Sequence, residues 1–148
     1  MARVLVADDD SQVRKLICRV LSENGHAVMS ASDGKKAIRY FAVMQPDLLI
    51  LDLAMPGTDG FQVLRAIKEL AMEIGSKIVV LSGQTSEPAR LRAYELGAHH
   101  YIEKPFVIED VLEGVEQILT LPEKQLTARK DADLYKADIL TRLEYLLY

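Results

Sequence analysis

The sequence predicts an α/β domain: a (βα)5 three-layer sandwich, with five parallel strands in one sheet, helices on both faces, and an extra C-terminal helix. Three observations point to it. Five short apolar runs alternate with five segments of helical periodicity, and strict alternation with short connections implies a parallel sheet covered on both sides. The third run, Leu48-Leu49-Ile50-Leu51, is too short for a membrane span and too unbroken for a half-exposed strand, which suits a central strand buried on both faces. Four of the runs end in polar or charged residues: Asp8-Asp9-Asp10, Asp52, Ser82-Gly83 and Lys104-Pro105. In open α/β sheets functional groups gather just past the carboxyl ends of the strands.

Val4 to Ala7 forms the first strand. Ser11 can cap the helix after it, whose Val13, Leu16, Ile17, Val20 and Leu21 make one apolar stripe, and Asn24-Gly25 stops that helix. His26 to Ala31 is the second strand. Asp33-Gly34 opens the second helix, with Ala37, Ile38 and Phe41 inward, and Gln45-Pro46 ends it. After the central strand and a Pro56-Gly57 turn, Asp59-Gly60 starts the third helix, with Phe61, Leu64, Ile67 and Leu70 on the core side. Gly75-Ser76 breaks it. Ile78 to Leu81 is the fourth strand. Thr85 or Ser86 caps the fourth helix, with Pro88 tolerated in its first turn, and Gly97 ends it. His99 to Glu103 is the fifth strand. Ile108 to Leu119 is the fifth helix, with Ile108, Val111, Leu112, Val115, Ile118 and Leu119 as its stripe.

Pro122 divides the chain into a domain over 1–121, a polar linker over 122–130 and a helix over 131–148. In that helix Ile139, Leu140, Leu143, Leu146 and Leu147 share one face. Ile139, Leu143 and Leu146 also fit a heptad seam, but extending the register backwards puts Lys136 and Ala132 on it, so the seam is short and flawed. Three roles stay open for the helix: folding back on its own domain, pairing with a second chain, or forming the stub of a longer helix.

Composition narrows the function. The chain has 148 residues, 49% hydrophobic, which suits one compact domain with a modest extension. Its formal charge is −4 and no Lys/Arg run is longer than two, which argues against a nucleic-acid surface. Cys18 is the sole cysteine, so no internal disulfide framework exists and a reducing, cytoplasmic setting fits. The N-terminus is too short in apolar residues and too acidic for a signal peptide, and no run approaches the roughly 20 residues of a membrane helix. His99-His100 has no third metal ligand nearby in sequence and reads as a solvated strand start; Cys18 reads as a packing residue.

A parallel sheet brings Asp8, Asp9, Asp52, Ser82 and Lys104 to one edge. Three carboxylates so placed repel one another, and without a partner at least one holds its proton abnormally well. A divalent cation removes the conflict. Hard oxygen ligands with waters left in the shell suggest Mg²⁺, with Mn²⁺ or Ca²⁺ as substitutes. A cation, an ammonium and a hydroxyl around one carboxylate make a site for a phosphoryl group, with an oxygen of Asp52 as nucleophile and an acyl phosphate as product.

With these residues the sequence resembles the receiver domains of two-component response regulators, of the chemotaxis-regulator type. The resemblance covers about residues 2–121. It rests on Val6-Ala7-Asp8-Asp9-Asp10, on Asp52-Leu53-Ala54-Met55-Pro56-Gly57-Thr58-Asp59-Gly60, on Ser82-Gly83, on Gly97-Ala98, and on Tyr101 with Lys104-Pro105-Phe106. It implies a flavodoxin-like strand order, 2-1-3-4-5. It implies that Asp52 takes a phosphoryl group from a histidine kinase or phosphotransfer protein. It places Mg²⁺ on Asp9, Asp52 and the backbone carbonyl of Ala54, with Asp8 binding through water or helping directly. Lys104 would pair with the phosphoryl group, Ser82 would close on it, and Tyr101 would turn inward as the loop moves. A cis Lys104-Pro105 bond is implied too. The signal would reach the surface of the fourth helix, fifth strand and fifth helix, the expected face for a downstream target, an output domain or a second copy; the C-terminal helix is the other candidate dimer contact. The departures are few: Ala7 where Val is common, and His99-His100 in place of a frequently acidic pair. Ala54 is small and neutral, and leaves room beside the acyl phosphate.

Rival readings fare worse. Haloacid-dehalogenase-type phosphatases also use an aspartate at a strand end but want a second Asp two residues later, where Ala54 stands. No Gly-rich loop follows the first strand, which removes a nucleotide-binding reading. A receiver used only as a scaffold would have no need of the whole set of Asp8, Asp9, Asp52, Ser82 and Lys104.

Overall fold

The computed structural model describes residues 1–83 and 86–147, and the side chains of all of these except Glu123, Thr127, Arg129, Lys130 and Ala137. The elements are β1 (Arg3–Ala7), α1 (Ser11–Glu23), β2 (Ala27–Ala31), α2 (Gly34–Met44), β3 (Leu48–Asp52), α3 (Gly60–Ile74), β4 (Lys77–Ser82), α4 (Glu87–Glu95), β5 (His100–Glu103), α5 (Ile108–Thr120) and α6 (Glu123–Leu146). All the strand pairs are parallel and the order is β2-β1-β3-β4-β5, as expected.

Strand periodicity sorts the core into two layers. Leu5, Leu49, Leu51, Ile78 and Val80 face α2, α3 and α4, where Ala37, Phe41, Leu64 and Ala93 meet them. Val4, Val6, Leu48, Ile50, Val79 and Leu81 face the other way, against Ile17 and Leu21 of α1 and Val111, Val115 and Ile118 of α5. Every residue of β3 is buried, which is why its sequence is an unbroken apolar run up to Asp52. A sheet packed on both faces is rigid, and it fixes where its carboxyl ends present side chains.

The helix ends follow local rules. Asp33 accepts from the Lys36 amide at the start of α2. Asp59 and Gln62 form a reciprocal capping box on α3, and Ser86 caps α4. Thr85, the alternative cap, lies outside the described residues. At α1 the expectation is corrected: the cap is Asp10, whose carboxylate accepts from the amides of Gln12 and Val13, while Ser11 is already helical. A carboxylate there also faces the positive end of the helix dipole.

The expected linker over 122–130 is also corrected. A single helix runs from Glu123 to Leu146, with Pro122 as its N-cap. Proline just outside the first turn breaks nothing, because that amide would have no helical partner anyway. Leu126 is buried with the layer that holds α5, while Leu134 packs on the layer that holds α4. The Tyr94 hydroxyl donates to Asp133 at 3.2 Å. α6 therefore folds back over its own domain, while Tyr135, Leu143, Tyr145, Leu146 and Leu147 stay exposed. Among the described residues no helix is long and apolar enough to cross a membrane.

Candidate functional site

Register assembles the site. Ala7 of β1 pairs with Leu51 of β3, so Asp8 and Asp52 leave adjacent strands side by side. Leu81 pairs with Asp52, and Ser82 with Glu103, so Ser82 and Lys104 complete the row. The Lys104 amide donates to the Ser82 carbonyl at 2.8 Å, tying the lysine to β4, and its bond to Pro105 is cis. Lys104 Nζ lies 3.0 Å from Asp8 Oδ2 and 3.4 Å from Asp52 Oδ2. The other Asp8 oxygen accepts from the Asp10 amide at 2.9 Å, and that of Asp52 from the Ala54 amide at 3.1 Å. Asp8, Asp52 and Ser82 are buried; Asp9 is exposed. Asp8, Asp9 and Asp52 each bring one oxygen within 4.8 Å of the others, so the three could hold a metal ion.

The charges are unevenly compensated. One ammonium serves two buried carboxylates. Burial, and then the Asp8 charge, push the Asp52 carboxyl up to about 6, against the Ala54 amide and Lys104, which lower it. Burial works against the Lys104 ammonium, yet Asp8 and Asp52 more than offset it and hold its pKa above the ordinary value. A carboxyl raised in the fold costs stability once pH exceeds its unfolded value, fully so above its folded value. Asp52→Asn keeps the shape and removes the charge. It should stabilise the cation-free protein by about 2 kcal/mol at pH 7, with the gain shrinking below pH 6 and gone near pH 4. Urea unfolding across that range measures it; no gain at pH 7 would mean the Lys104 charge already compensates Asp52.

Tyr101 stands beside this row. The resemblance implies that it turns inward on activation; here its side chain is buried, 4% exposed. Burial is the main reason that its phenol pKa lies above the ordinary value. Arg90 of α4 spans two rings, 5.4 Å from the Tyr101 centroid and 5.8 Å from that of Tyr94, and lies 3.9 Å from Glu103. Sequence reading missed Arg90. The available signal was its spacing of four from Tyr94, which puts both on one helix face. It also missed Arg14, whose Nη1 donates to the Asp8 carbonyl at 2.7 Å and steadies the acidic turn. His99 serves the backbone: its Nδ1 accepts from the Ile78 amide at 3.0 Å. Cys18 is half-buried, and burial raises its thiol pKa, the opposite of an activated thiol.

The β3–α3 loop is fixed by backbone contact. The Gly60 amide donates to the Leu53 carbonyl at 3.0 Å, and a Cβ at Gly60 would stand 2.5 Å from Leu53 Cα and 2.6 Å from the Asp52 carbonyl oxygen. Only glycine lets α3 start this close to the end of β3.

Residues 4–116 match the family model described as the response regulator receiver domain. The chain belongs to that family. Curated relatives agree: the receiver domain is 38% identical over 123 residues to response regulator MprA of Mycobacterium avium, an alignment covering 82% of this chain and 53% of the relative. The chain thus spans about half the length of the curated relatives it matches. Among solved structures, the receiver domain resembles the chemotaxis response regulator CheY4 of Vibrio cholerae, with a TM-score of 0.74 and 28% identity over 80% of this chain and 98% of that one. It equally resembles the receiver domain of the Francisella response regulator 1452, with a TM-score of 0.73 and 28% identity over 80% and 97% of the two chains. Residues 4–116 are a receiver domain of the kind found in two-component response regulators.

Proposed function

We propose that Asp52 is the phosphoacceptor and that its phosphorylation is the switch. The carrying observation is the geometry at the sheet edge: a buried carboxylate with one oxygen 3.4 Å from Lys104 Nζ, flanked by Asp8 and Asp9. Attack by an Asp52 oxygen on phosphorus forms the O–P bond as the bond to the donor's imidazole nitrogen breaks. That nitrogen takes a proton from solvent. Lys104 would pair with phosphoryl oxygens, and the Ser82 hydroxyl would donate to one.

The donor set fits Mg²⁺. It offers hard carboxylate oxygens, and a divalent cation there would offset the burial and, after it, the Asp8 charge that raise the Asp52 carboxyl. Asp9, Asp52 and the Ala54 carbonyl would hold it, with Asp8 reaching it through water. Bound there, Mg²⁺ supplies neutralisation of the phosphoryl oxygens; Mn²⁺ or Ca²⁺ would bind the same oxygens. The donor would be a histidine kinase or a phosphotransfer protein. The chain would catalyse its own phosphotransfer and dephosphorylation, acting in the cytoplasm on a downstream target or an output module.

Intact-mass spectrometry after incubation with Mg²⁺ and acetyl phosphate tests this reading. The wild type should gain one phosphoryl group; without Mg²⁺, or as Asp52→Asn, it should gain none. If the wild type gained nothing and also failed to bind fluoroberyllate, the domain would be a phosphorylation-independent scaffold.

A further inference from the structure

α6 carries two apolar faces, and its own domain covers one of them. Leu126 and Leu134 pack on the core layers, and Asp133 takes the hydrogen bond of the Tyr94 hydroxyl. Successive residues turn about 100° around a helix, so Ile139, Leu143, Leu146 and Leu147 fall on a stripe turned away from that contact. Leu143, Leu146 and Leu147 are 52%, 78% and 81% exposed. A single exposed leucine needs no explanation, but three in one stripe form a patch that a partner would cover.

The charges beside the stripe select the partner. Lys136 and Glu144 are exposed, although Lys136 also borders a cleft with Glu87, Arg90 and Glu103. Asp138 and Arg142 form an ion pair at 3.0 Å. Two copies of this helix laid parallel would set Lys136 against Lys136 and Glu144 against Glu144, and like charges across a seam repel. Laid antiparallel, crossing near Leu140 and Thr141, the same charges match. Lys136 of each copy then meets Glu144 of the other on one flank of the stripe. The Asp138–Arg142 pair meets its own reversed image on the other flank. Leu143 of each copy packs near Ile139 of the other, and Leu146 covers the aliphatic stem of Lys136. The lysine that spoils the heptad seam within one chain thus fixes direction and register between two chains, as a lone polar residue at a seam position does in coiled coils.

We propose that two copies of this chain pair antiparallel through the C-terminal half of α6, with Lys136–Glu144 contacts at both ends of the seam. The patch is small beside the roughly 1,200–2,000 Å² of a stable interface, so the dimer is weak, with a Kd on the order of 10–100 μM. The pairing stands independently of the phosphoacceptor reading of Asp52.

Sedimentation equilibrium of the full 148-residue chain tests it. Between about 5 and 500 μM the wild type should pass from monomer to dimer. Leu143→Glu should stay monomeric. Glu144→Lys, a change at an exposed position that leaves the apolar stripe whole, should dimerise several-fold more weakly, with circular dichroism showing α6 intact in both variants. Direction is read by cross-linking in a Cys18→Ser background. Lys136→Cys mixed with isotope-labelled Glu144→Cys should oxidise mainly to the mixed disulfide. A wild type that stays monomeric, a Leu143→Glu variant that still dimerises, equal affinity in Glu144→Lys, or Lys136→Cys cross-linked mainly to itself would each overturn the proposal.

Discussion

Lys104→Met should lose about 3–5 kcal/mol of stability at pH 7, because it strands two buried carboxylates with no cation. Asp8 and Asp52 are 0% and 3% exposed, so water cannot take over from the ammonium. Methionine keeps the length and apolar stem of the lysine, so lost packing contributes little. The pH dependence separates charge from shape. Asp52 already holds its proton up to about pH 6 with Lys104 in place, and removing the lysine raises that value further. The deficit should therefore shrink as pH falls from 7 towards 4, where a neutral Asp52 needs no partner. Adding Asp52→Asn to Lys104→Met should recover more at pH 7 than the roughly 2 kcal/mol that Asp52→Asn gives the wild type. Urea unfolding of the single and double variants at both pH values decides it. A deficit that stayed constant across that range would mean that Lys104 acts through packing.

Gly60→Ala is expected to cost about 3 kcal/mol, although alanine is the better helix former. Its Cβ would meet the Leu53 Cα and the Asp52 carbonyl, both backbone, at 2.5 and 2.6 Å, and no rotamer change relieves that. Either α3 backs away or the end of β3 moves, and the second displaces Asp52 directly. Phosphorylation by acetyl phosphate should slow along with the loss of stability. Gly83→Ala, where an added Cβ meets nothing within 4 Å, provides the contrast and should be close to neutral. A cost below about 1 kcal/mol at Gly60 would show that the start of α3 can yield without disturbing the loop.

The architecture is legible in the sequence because each central strand carries its own signal. Leu48 to Leu51 is apolar on both faces since both faces are covered, and a chemically distinct residue stands where the sheet ends. Asp8, Asp52, Ser82 and Lys104 can be brought together on paper because parallel strands share one carboxyl edge. Contact between elements distant in the chain leaves no such signal. Arg90 is an ordinary helix arginine until Tyr101 is known to lie under it. Tyr101 sits on its expected strand, but its burial and its contact with Arg90 depend on how α4 packs beside β5. Residues 123–130 look like a linker because they are polar, yet Glu, Lys, Gln, Ala and Arg are good helix formers, and propensity outweighs polarity. α6 shows little amphipathic pattern along its whole length because Leu126 and Leu134 bury against different layers.

Leu126 has a practical consequence. The family signature stops at residue 116, but Leu126 is 3% exposed and shares its apolar layer with Ala2, Val115 and Ile118. Trimming the chain at 121, where the strand–helix alternation ends, would bare that floor to solvent and invite aggregation. A version transplanted into a chimeric sensor should keep α6 at least to Leu134, which packs on the α4-side core next to the Asp133 that Tyr94 bonds. The portable unit of this fold thus runs well past residue 116, where the signature by which it is recognised stops.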